Sequence, residues 1–389
     1  MNKKKNLLGL YIHWPYCESK CPYCDFNSHI NESVDIDLWI KSYTNQIYQM
    51  KEDIIKYNLN YDGLSSIFFG GGTPSLMPLE IIESILNISY KSFNFNKDIE
   101  ISLEANPSSY ETKKFVGLKK LGINRLSIGV QSLNNKNLNF LGRLHNVNDV
   151  YNTLDHATKT FDNVSADLMY SFYGQDLNLW IDELEKFLQR YDLKHISLYQ
   201  LTIEKGTKFF TDYKKGLIHL IDNDLAADFY TKTNMILSEY HFNRYEISNY
   251  SKLNFECKHN LNYWNSDSWI GIGPGAYGRI WASNSKLRRI EYQNYKNPKS
   301  WVNNNVNYCD FERIKLLNSN DTDIDTLSMG LRLEKGFKIS KLIDRKLIKS
   351  KQFKILQDKK IIFEKDGFVV LSKNYLIKLN SIINFLMND

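Results

Sequence analysis

Cysteine, long apolar runs and blocks of like charge are all scarce in this chain of 389 residues, and each scarcity excludes a class of protein. Five cysteines are too few, at this length, for the disulfide framework of a secreted domain, so the cytoplasm is the expected compartment. No stretch approaches the roughly 18 apolar residues that a membrane span requires. The formal net charge of +6 comes from scattered lysines, which permits an anionic ligand but predicts no nucleic-acid partner.

Three of the five cysteines, Cys17, Cys21 and Cys24, lie at the spacing C-x3-C-x2-C. Clustered thiols in a chain otherwise poor in cysteine are typical of a metal or iron–sulfur site. Zinc requires four tetrahedral ligands, and His29 would complete a set of three cysteines and one histidine. An iron–sulfur cube held by three thiolates has one iron without a protein ligand, which suits chemistry better than plain electron transfer. The spacing favours the cluster and leaves zinc as the alternative.

From residue 8 to residue 240, short apolar runs alternate with segments whose apolar residues recur at helical spacing. Strands followed by helices at this pace predict a parallel sheet with helical crossovers, and about six such units favour an α/β partial barrel over a short open sheet. The predicted strands are 8–13, 66–69, 99–103, 125–130, 164–169 and 196–200.

Polar residues and glycines follow these predicted strands at the point where each strand ends. They are the cysteine stretch 17–24, the glycine run 70–73, Glu104, Gln131 and Gln200. In a (β/α) barrel the carboxyl ends of the strands carry the active site. Five groups on one rim therefore predict a single site.

Beyond residue 240 the alternation stops, and three domains are predicted: 1–240, 241–310 and 311–389. The middle segment is aromatic and predicted to be rich in loops. Its G-x-G-x-x-G at 273–278 is not a dinucleotide fingerprint, because no helical pattern follows it. The last segment has helical periodicity and then Asp366-Gly367 between two apolar runs, which predicts a hairpin and a small winged-helix-like domain.

The cysteine stretch YIHWPYCESKCPYCDFNSH, together with GGGTP, EANP, RLSIGVQS, LGRLH and DLMY further along, resembles the radical SAM enzymes. Within them it is similar to the oxygen-independent coproporphyrinogen III oxidase-like family. The resemblance implies a partial (β/α)6 TIM-like barrel, a 4Fe–4S cluster on the three cysteines and S-adenosylmethionine (SAM) on the open iron. The residues that it assigns to SAM are Tyr11, Tyr23, Gly71, Gly72, Thr73, Glu104, Gln131, Arg143 and Asp167.

Two features are similar to the haem-chaperone branch of that family rather than to the oxidases. Phe26 stands where the oxidases have a fourth cysteine, and HNLNYW at 259–264 matches the motif HNxxYW of that branch. His259 is the implied haem ligand, with Cys257 as a rival. The resemblance thus implies a haem carrier that serves respiratory apoproteins, and leaves open a homodimer and peripheral contact with a membrane. The alternatives are a coproporphyrinogen oxidase and a zinc-stabilised nucleic-acid binder, which the diffuse charge disfavours.

Overall fold

The computed structural model of the chain describes residues 7–30, 33–56, 59, 61–282, 288–305 and 312–387. Within these ranges the strands are, in chain order, β1 (Leu7–Trp14), β2 (Tyr16–Cys17), β3 (His29–Ile30), β4 (Gly63–Gly71), β5 (Phe95–Ala105), β6 (Arg125–Gln131), β7 (Asn163–Tyr170), β8 (His195–Gln200), β9 (Asn243–Arg244), β10 (Asn249–Ser251), β11 (Trp269–Ile272), β12 (Tyr277–Ala282), β13 (Arg288–Gln293), β14 (Arg313–Leu317), β15 (Phe337–Lys338), β16 (Ile362–Lys365) and β17 (Phe368–Leu371).

The α-helices of the same ranges are α1 (Ile36–Lys56), α2 (Leu79–Ser92), α3 (Ser109–Thr112), α4 (Phe115–Lys120), α5 (Asn135–Phe140), α6 (Val147–Thr160), α7 (Leu177–Arg190), α8 (Lys208–Lys214), α9 (Asn223–Glu239), α10 (Lys258–Trp264), α11 (Pro298–Asn305), α12 (Ser319–Gly330), α13 (Lys351–Asp358) and α14 (Leu379–Met387). Among the described residues, none of these helices has both the length and the apolar character needed to cross a membrane.

The main sheet runs in the order β14-β13-β12-β11-β1-β4-β5-β6-β7-β8-β10-β9. Its centre, from β11 to β8, is parallel, and antiparallel strands flank it on both sides. The strands β1 and β4–β8 are the six predicted from the sequence, each followed by at least one helix. The α/β class and the TIM-like, partial-barrel architecture are therefore confirmed, with the sheet left open because its two ends do not pair with each other.

Side chains alternate between two environments along the central strands, as β6 illustrates. Leu126 and Ile128 belong to the core that the sheet shares with the surrounding helices. Ser127, Gly129 and Gln131, on the opposite face, line a cavity inside the barrel. Successive residues of a strand point to opposite faces, so one strand can serve both the core and the site.

Side-chain caps define where the outer helices begin. At the start of α6, the Asn146 side chain accepts bonds from the backbone N–H groups of Asn148 and Asp149, and the Asp149 carboxylate accepts one from the Asn146 N–H. Asp176 caps α7 in a similar way, accepting from the Leu179 N–H. Such caps satisfy backbone donors that the first helical turn leaves unpaired, and thereby fix the length of the loops on the rim.

The segment 241–310 contains more regular structure than the sequence indicated. Its strand β11 joins the main sheet parallel to β1, and β12 and β13 extend the sheet beyond it. The expectation of a loop-rich extension is corrected in this respect. The strands were missed because β11 is only four residues long and fully buried, so it shows no alternation.

Residues beyond 311 include a separate core built on a three-stranded antiparallel sheet, β15-β17-β16. The predicted hairpin is confirmed: β16 and β17 pair across Asp366 and Gly367, which have φ values of 50° and 79°. Positive φ at both central residues matches the twist that a two-residue turn needs between antiparallel strands.

Candidate functional site: a cysteine-lined cavity at the barrel rim

A cavity of about 520 Å³ opens at the carboxyl ends of the parallel strands. All three clustered cysteines line it, together with residues at or just after the ends of β4, β5 and β6 and residues within β7 and β8. The residues singled out from the sequence that the structure brings together here are Cys17, Cys21, Tyr23, Cys24, Gly71, Gly72, Thr73, Glu104, Gln131, Arg143 and Asp167. Tyr11 and His259 are not among the lining residues.

Cys17 ends β2, and Cys21 and Cys24 lie on the compact loop that connects β2 with β3. The Cys24 N–H donates to the Cys21 carbonyl at 3.1 Å, and the His29 N–H donates to Pro15 at 2.7 Å, which closes the loop at its base. All three thiols are free and only partly buried. Burial raises the pKa of the free Cys17 and Cys24 thiols.

The donor set fits an iron–sulfur cube better than a single zinc ion. In the described part of the chain, no group of three or more His, Cys, Asp or Glu side chains converges on one point, as tetrahedral zinc requires. A cube does not need such convergence, because each thiolate binds a different iron. Three free thiols around one open cavity satisfy that arrangement.

The glycine run at the end of β4 lines the cavity and also contacts the backbone that leads into the cysteine loop. The Gly72 N–H donates to the Trp14 carbonyl at 2.7 Å, and the Thr73 N–H donates to the Tyr16 carbonyl at 2.9 Å. A Cβ on Gly72 would lie 2.6 Å from the Tyr16 oxygen, and Gly71 has a φ of 118°. The glycines are therefore required because the chain's own backbone passes so close.

Arg143 joins the cysteine loop to the rest of the cavity. Its guanidinium donates to the Cys21 sulfur at 3.3 Å and to the Gly129 carbonyl at 3.3 Å. It also donates to the Asn106 side-chain oxygen. With a further bond to the Tyr23 hydroxyl, these contacts engage both terminal nitrogens. A carboxylate ligand would therefore be held by the guanidinium charge and by N–H groups that exchange one of these partners for it.

Glu104 and Asp167 bring two carboxyl groups to one cavity. Burial, and then the charge of Asp167, raise the pKa of Glu104 from its usual 4.5 to about 8. Burial also raises the pKa of Asp167, against hydrogen bonds from serines that stabilise its ionised form. One of these is donated by the Ser127 hydroxyl at 2.9 Å. Carboxylates in this position are acceptors suited to the hydroxyl groups of a ribose.

Gln131 has a strained backbone at the end of β6. Its φ of 63° lies in the left-handed region, which a residue with a side chain adopts at a cost on the order of 1 kcal/mol or more. The strain directs the end of the strand so that Gln131 lines the cavity. Strained residues of this kind concentrate at binding sites.

Tyr11 and His259 lie in the barrel interior, outside the cavity lining. The Tyr11 hydroxyl is 3.0 Å from His13 Nδ1. His259 is 1% exposed, with Nδ1 2.9 Å from the Ser66 hydroxyl and Nε2 2.8 Å from the Tyr263 hydroxyl. Burial, and then the charge of Arg125, lower the pKa of His259 to about 3. In this arrangement neither ring nitrogen of His259 is open to an iron ion.

Asn106 is a cavity residue that sequence reasoning missed. Its side-chain nitrogen donates to the Thr73 hydroxyl at 2.9 Å, and its oxygen accepts from Arg143. It thus connects the ends of β4 and β5 with the loop that carries Arg143. Its place in EANP, two residues after Glu104, was the available signal, because the chain is still on the rim there.

The chain is similar to known proteins over most of its length. A family model described as the Radical SAM superfamily matches residues 11–188. The mitochondrial radical S-adenosyl methionine domain-containing protein 1 of Bos taurus is 34% identical over 332 residues, 84% of this chain and 74% of that protein. Proteins named Heme chaperone HemW from Buchnera aphidicola subsp. Acyrthosiphon pisum and from Haemophilus influenzae are 38% and 37% identical, over 72% and 76% of this chain and 73% and 76% of theirs.

Among solved structures, the coproporphyrinogen III oxidase HemN from Escherichia coli superposes with a TM-score of 0.77. The alignment covers 98% of this chain and 90% of that one, at 18% sequence identity. At that identity the likeness shows the fold alone, and it supports the barrel assigned above. Identity of 34% or more to relatives matched over nearly three quarters of their length shows the family: the chain belongs to the radical SAM superfamily, in the family of the heme chaperone HemW.

Proposed function

We propose that this protein is a haem carrier that holds a 4Fe–4S cluster and SAM in the rim cavity and passes haem to respiratory apoproteins in the cytoplasmic compartment. The observation that carries the proposal is a cavity lined by three thiols, with no fourth among the residues that the structure describes. Phe26, at the position where the oxidases have another cysteine, lines the same cavity and is 60% exposed. The relatives named heme chaperone point in the same direction.

In this proposal the chain's own residues divide the binding of the cofactors. Cys17, Cys21 and Cys24 hold three irons, and Arg143 holds the SAM carboxylate beside Cys21. Glu104 accepts hydrogen bonds from the ribose hydroxyls. When bound, the cluster supplies an electron that can be transferred to the SAM sulfonium.

Gln131 and Tyr23 complete the enclosure proposed for SAM. Both line the cavity, and the Tyr23 hydroxyl accepts a long hydrogen bond, 3.5 Å, from Arg143. Burial raises the pKa of Tyr23, so its hydroxyl stays protonated and able to donate. A neutral donor near the cysteine loop suits a site that must exclude water from a reactive cofactor.

An anaerobic experiment separates this proposal from coproporphyrinogen oxidation. The full chain is reconstituted with iron and sulfide, then incubated with dithionite, SAM and coproporphyrinogen III, and separately titrated with haem. We expect stoichiometric haem binding and no decarboxylated product. Formation of protoporphyrinogen would make the protein an oxidase despite Phe26, and absence of haem binding would remove the carrier function.

A further inference from the structure

The haem of the proposed carrier needs a surface of its own. A cavity of about 520 Å³ has the size of a site for one organic ligand, and here it has to hold SAM next to the cluster. His259, the residue that the sequence pattern suggested for haem iron, has both ring nitrogens hydrogen-bonded inside the barrel. A surface for haem therefore lies outside the cavity.

A haem ligand must have an accessible ring nitrogen. The chain has eight histidines, and all of them fall within the described residues. His13 and His195, like His259, have both ring nitrogens in hydrogen bonds. The histidines with exposed side chains are His156, His219 and His241.

His219 is distinguished from the other two by an exposed aromatic partner. Its ring centroid lies 5.1 Å from that of Tyr173, which is 56% exposed. The residues beside it in the chain, Leu217 and Leu220, are 69% and 53% exposed. Exposed apolar side chains on the segment that carries an aromatic-packed imidazole are a feature of binding sites more often than single scattered ones are.

The turns beside this pair are open, and two lysines precede His219 in the chain. A Cβ built on Gly174 or on Gly216 would meet no atom within 4 Å, so nothing covers the turns next to Tyr173 and His219. Lys214 and Lys215, a few residues before His219, are both exposed. An iron porphyrin has a flat apolar body and two propionate groups, so this combination of an imidazole, apolar side chains and lysines is complementary to it.

The surface also adjoins the cluster loop. Tyr173 follows β7 and His219 follows β8, so both lie on the rim that carries the cavity. The helix α8, just before His219, is fixed to the cysteine loop: the Phe209 N–H donates to the Pro22 carbonyl at 2.9 Å. The ring of Phe209 lies 6.3 Å from that of Tyr23, which lines the cavity.

We propose that haem binds on this rim surface, with His219 as an axial ligand of the iron. Tyr173, Leu217 and Leu220 pack on the porphyrin, and Lys214 and Lys215 pair with its propionates. The inference rests on the carrier function proposed above, and assigns its ligand site to residues outside the SAM cavity.

The test is a titration of the reconstituted full chain with haemin, followed by absorbance, for the wild type and for His219→Ala. His156→Ala is the matched control, because it removes an exposed histidine from α6. We expect His219→Ala to weaken haemin binding by about tenfold or more and to shift the Soret band, with His156→Ala unchanged. Added imidazole should restore the wild-type band in His219→Ala. Cluster absorbance and SAM binding, unchanged in both variants, report that the barrel is intact.

Metal-free protoporphyrin IX separates iron ligation from packing. We expect it to bind wild type and His219→Ala alike, because it has no iron to coordinate. If His219→Ala bound haemin and the metal-free porphyrin with equally reduced affinity, ligation by His219 would be overturned. A haemin titration of His219→Ala identical to that of the wild type would overturn it as well. In either case a wild type that binds haemin stoichiometrically keeps the carrier function, whereas a wild type that binds none removes both.

Discussion

Replacing Glu104 by glutamine should stabilise the protein at neutral and alkaline pH while weakening its hold on SAM. Glu104 lies in a cavity with a second carboxyl group, and its pKa is raised to about 8. In the unfolded chain the same group has its usual pKa of 4.5. Glutamine has nearly the same shape and never ionises, so the variant avoids the cost of a buried charge.

The two pKa values determine the direction of the stability difference between Glu104→Gln and the wild type, and the pH range over which it develops. Below about pH 4.5 the carboxyl group is protonated in both states, and the substitution should change the free energy of unfolding little. As the pH rises to about 8, the unfolded state releases the proton and the folded state retains it, so the wild type loses stability and the variant does not. At about 1.4 kcal/mol for each pH unit between the two values, the upper limit is about 5 kcal/mol. Solvent in the open cavity reduces the expected gain to about 2 kcal/mol.

The assay is urea unfolding of the cofactor-free protein between pH 5 and pH 9, with Glu204→Gln as an exposed control on the same rim. The stability of Glu104→Gln relative to the wild type should grow with pH, and that of the control should stay flat. SAM affinity of the reconstituted variant should fall about tenfold or more at pH 9, where the wild-type carboxyl group is ionised and the variant has lost a charged acceptor. A stability difference that does not depend on pH would refute the reasoning from the buried carboxyl.

Three further substitutions test the cavity. Cys21→Ala should abolish the iron–sulfur absorbance and leave the thermal unfolding of the cofactor-free barrel nearly unchanged; an iron content equal to that of the wild type would contradict the assignment of the cluster. Arg143→Lys keeps a positive charge beside Cys21 but loses the paired donors, so SAM affinity measured by titration should fall about tenfold with the cluster retained; unaltered affinity would exclude Arg143 from the carboxylate site. Gly72→Ala places a Cβ against the Tyr16 carbonyl and should lower the free energy of unfolding by about 1–3 kcal/mol. The control Gly117→Ala, whose Cβ meets only the end of a leucine side chain, should leave the free energy of unfolding unchanged. Equal effects of the two substitutions would show that the close backbone contact at Gly72 is unimportant.

The barrel and its rim could be predicted because the information is local. Five of the six predicted strands are followed by polar residues or glycines, and in a parallel sheet all those ends lie on one side. Glu104 and Gln131 were therefore assigned to one rim from their positions alone, and both line the cavity. The contact of Asn106 with Arg143 was not predictable, because it joins residues 37 positions apart through a geometry that only the packed barrel defines.

The placement of His259 depends on information that is not local. A histidine in an aromatic stretch has the composition of a ligand site, and nothing near it in the chain indicates burial. Its position is permitted by Gly9, on β1, where a Cβ would lie 2.7 Å from the Asn262 side chain and 3.3 Å from the His259 ring. The close approach of α10 to β1 is therefore eased by a residue about 250 positions earlier that has no side chain.

This placement changes how a His259 variant should be interpreted. The His259 ring forms hydrogen bonds with the Ser66 and Tyr263 hydroxyls and lies 6.3 Å from the ring of Tyr11. Burial, and then the charge of Glu104, raise the pKa of Tyr11, and Glu104 also contributes to the raised pKa of Tyr263, so both tyrosines lie in the electrostatic field of a cavity residue. Removal of the His259 ring would take this partner from the Tyr263 hydroxyl and leave Ser66 with its bond from Asn262, which disturbs the packing of the barrel interior. Loss of cofactor or haem binding in such a variant would follow from a disturbed cavity wall and is not evidence that His259 binds iron; a change of the Soret band in His219→Ala, with SAM binding intact, would be evidence of that kind.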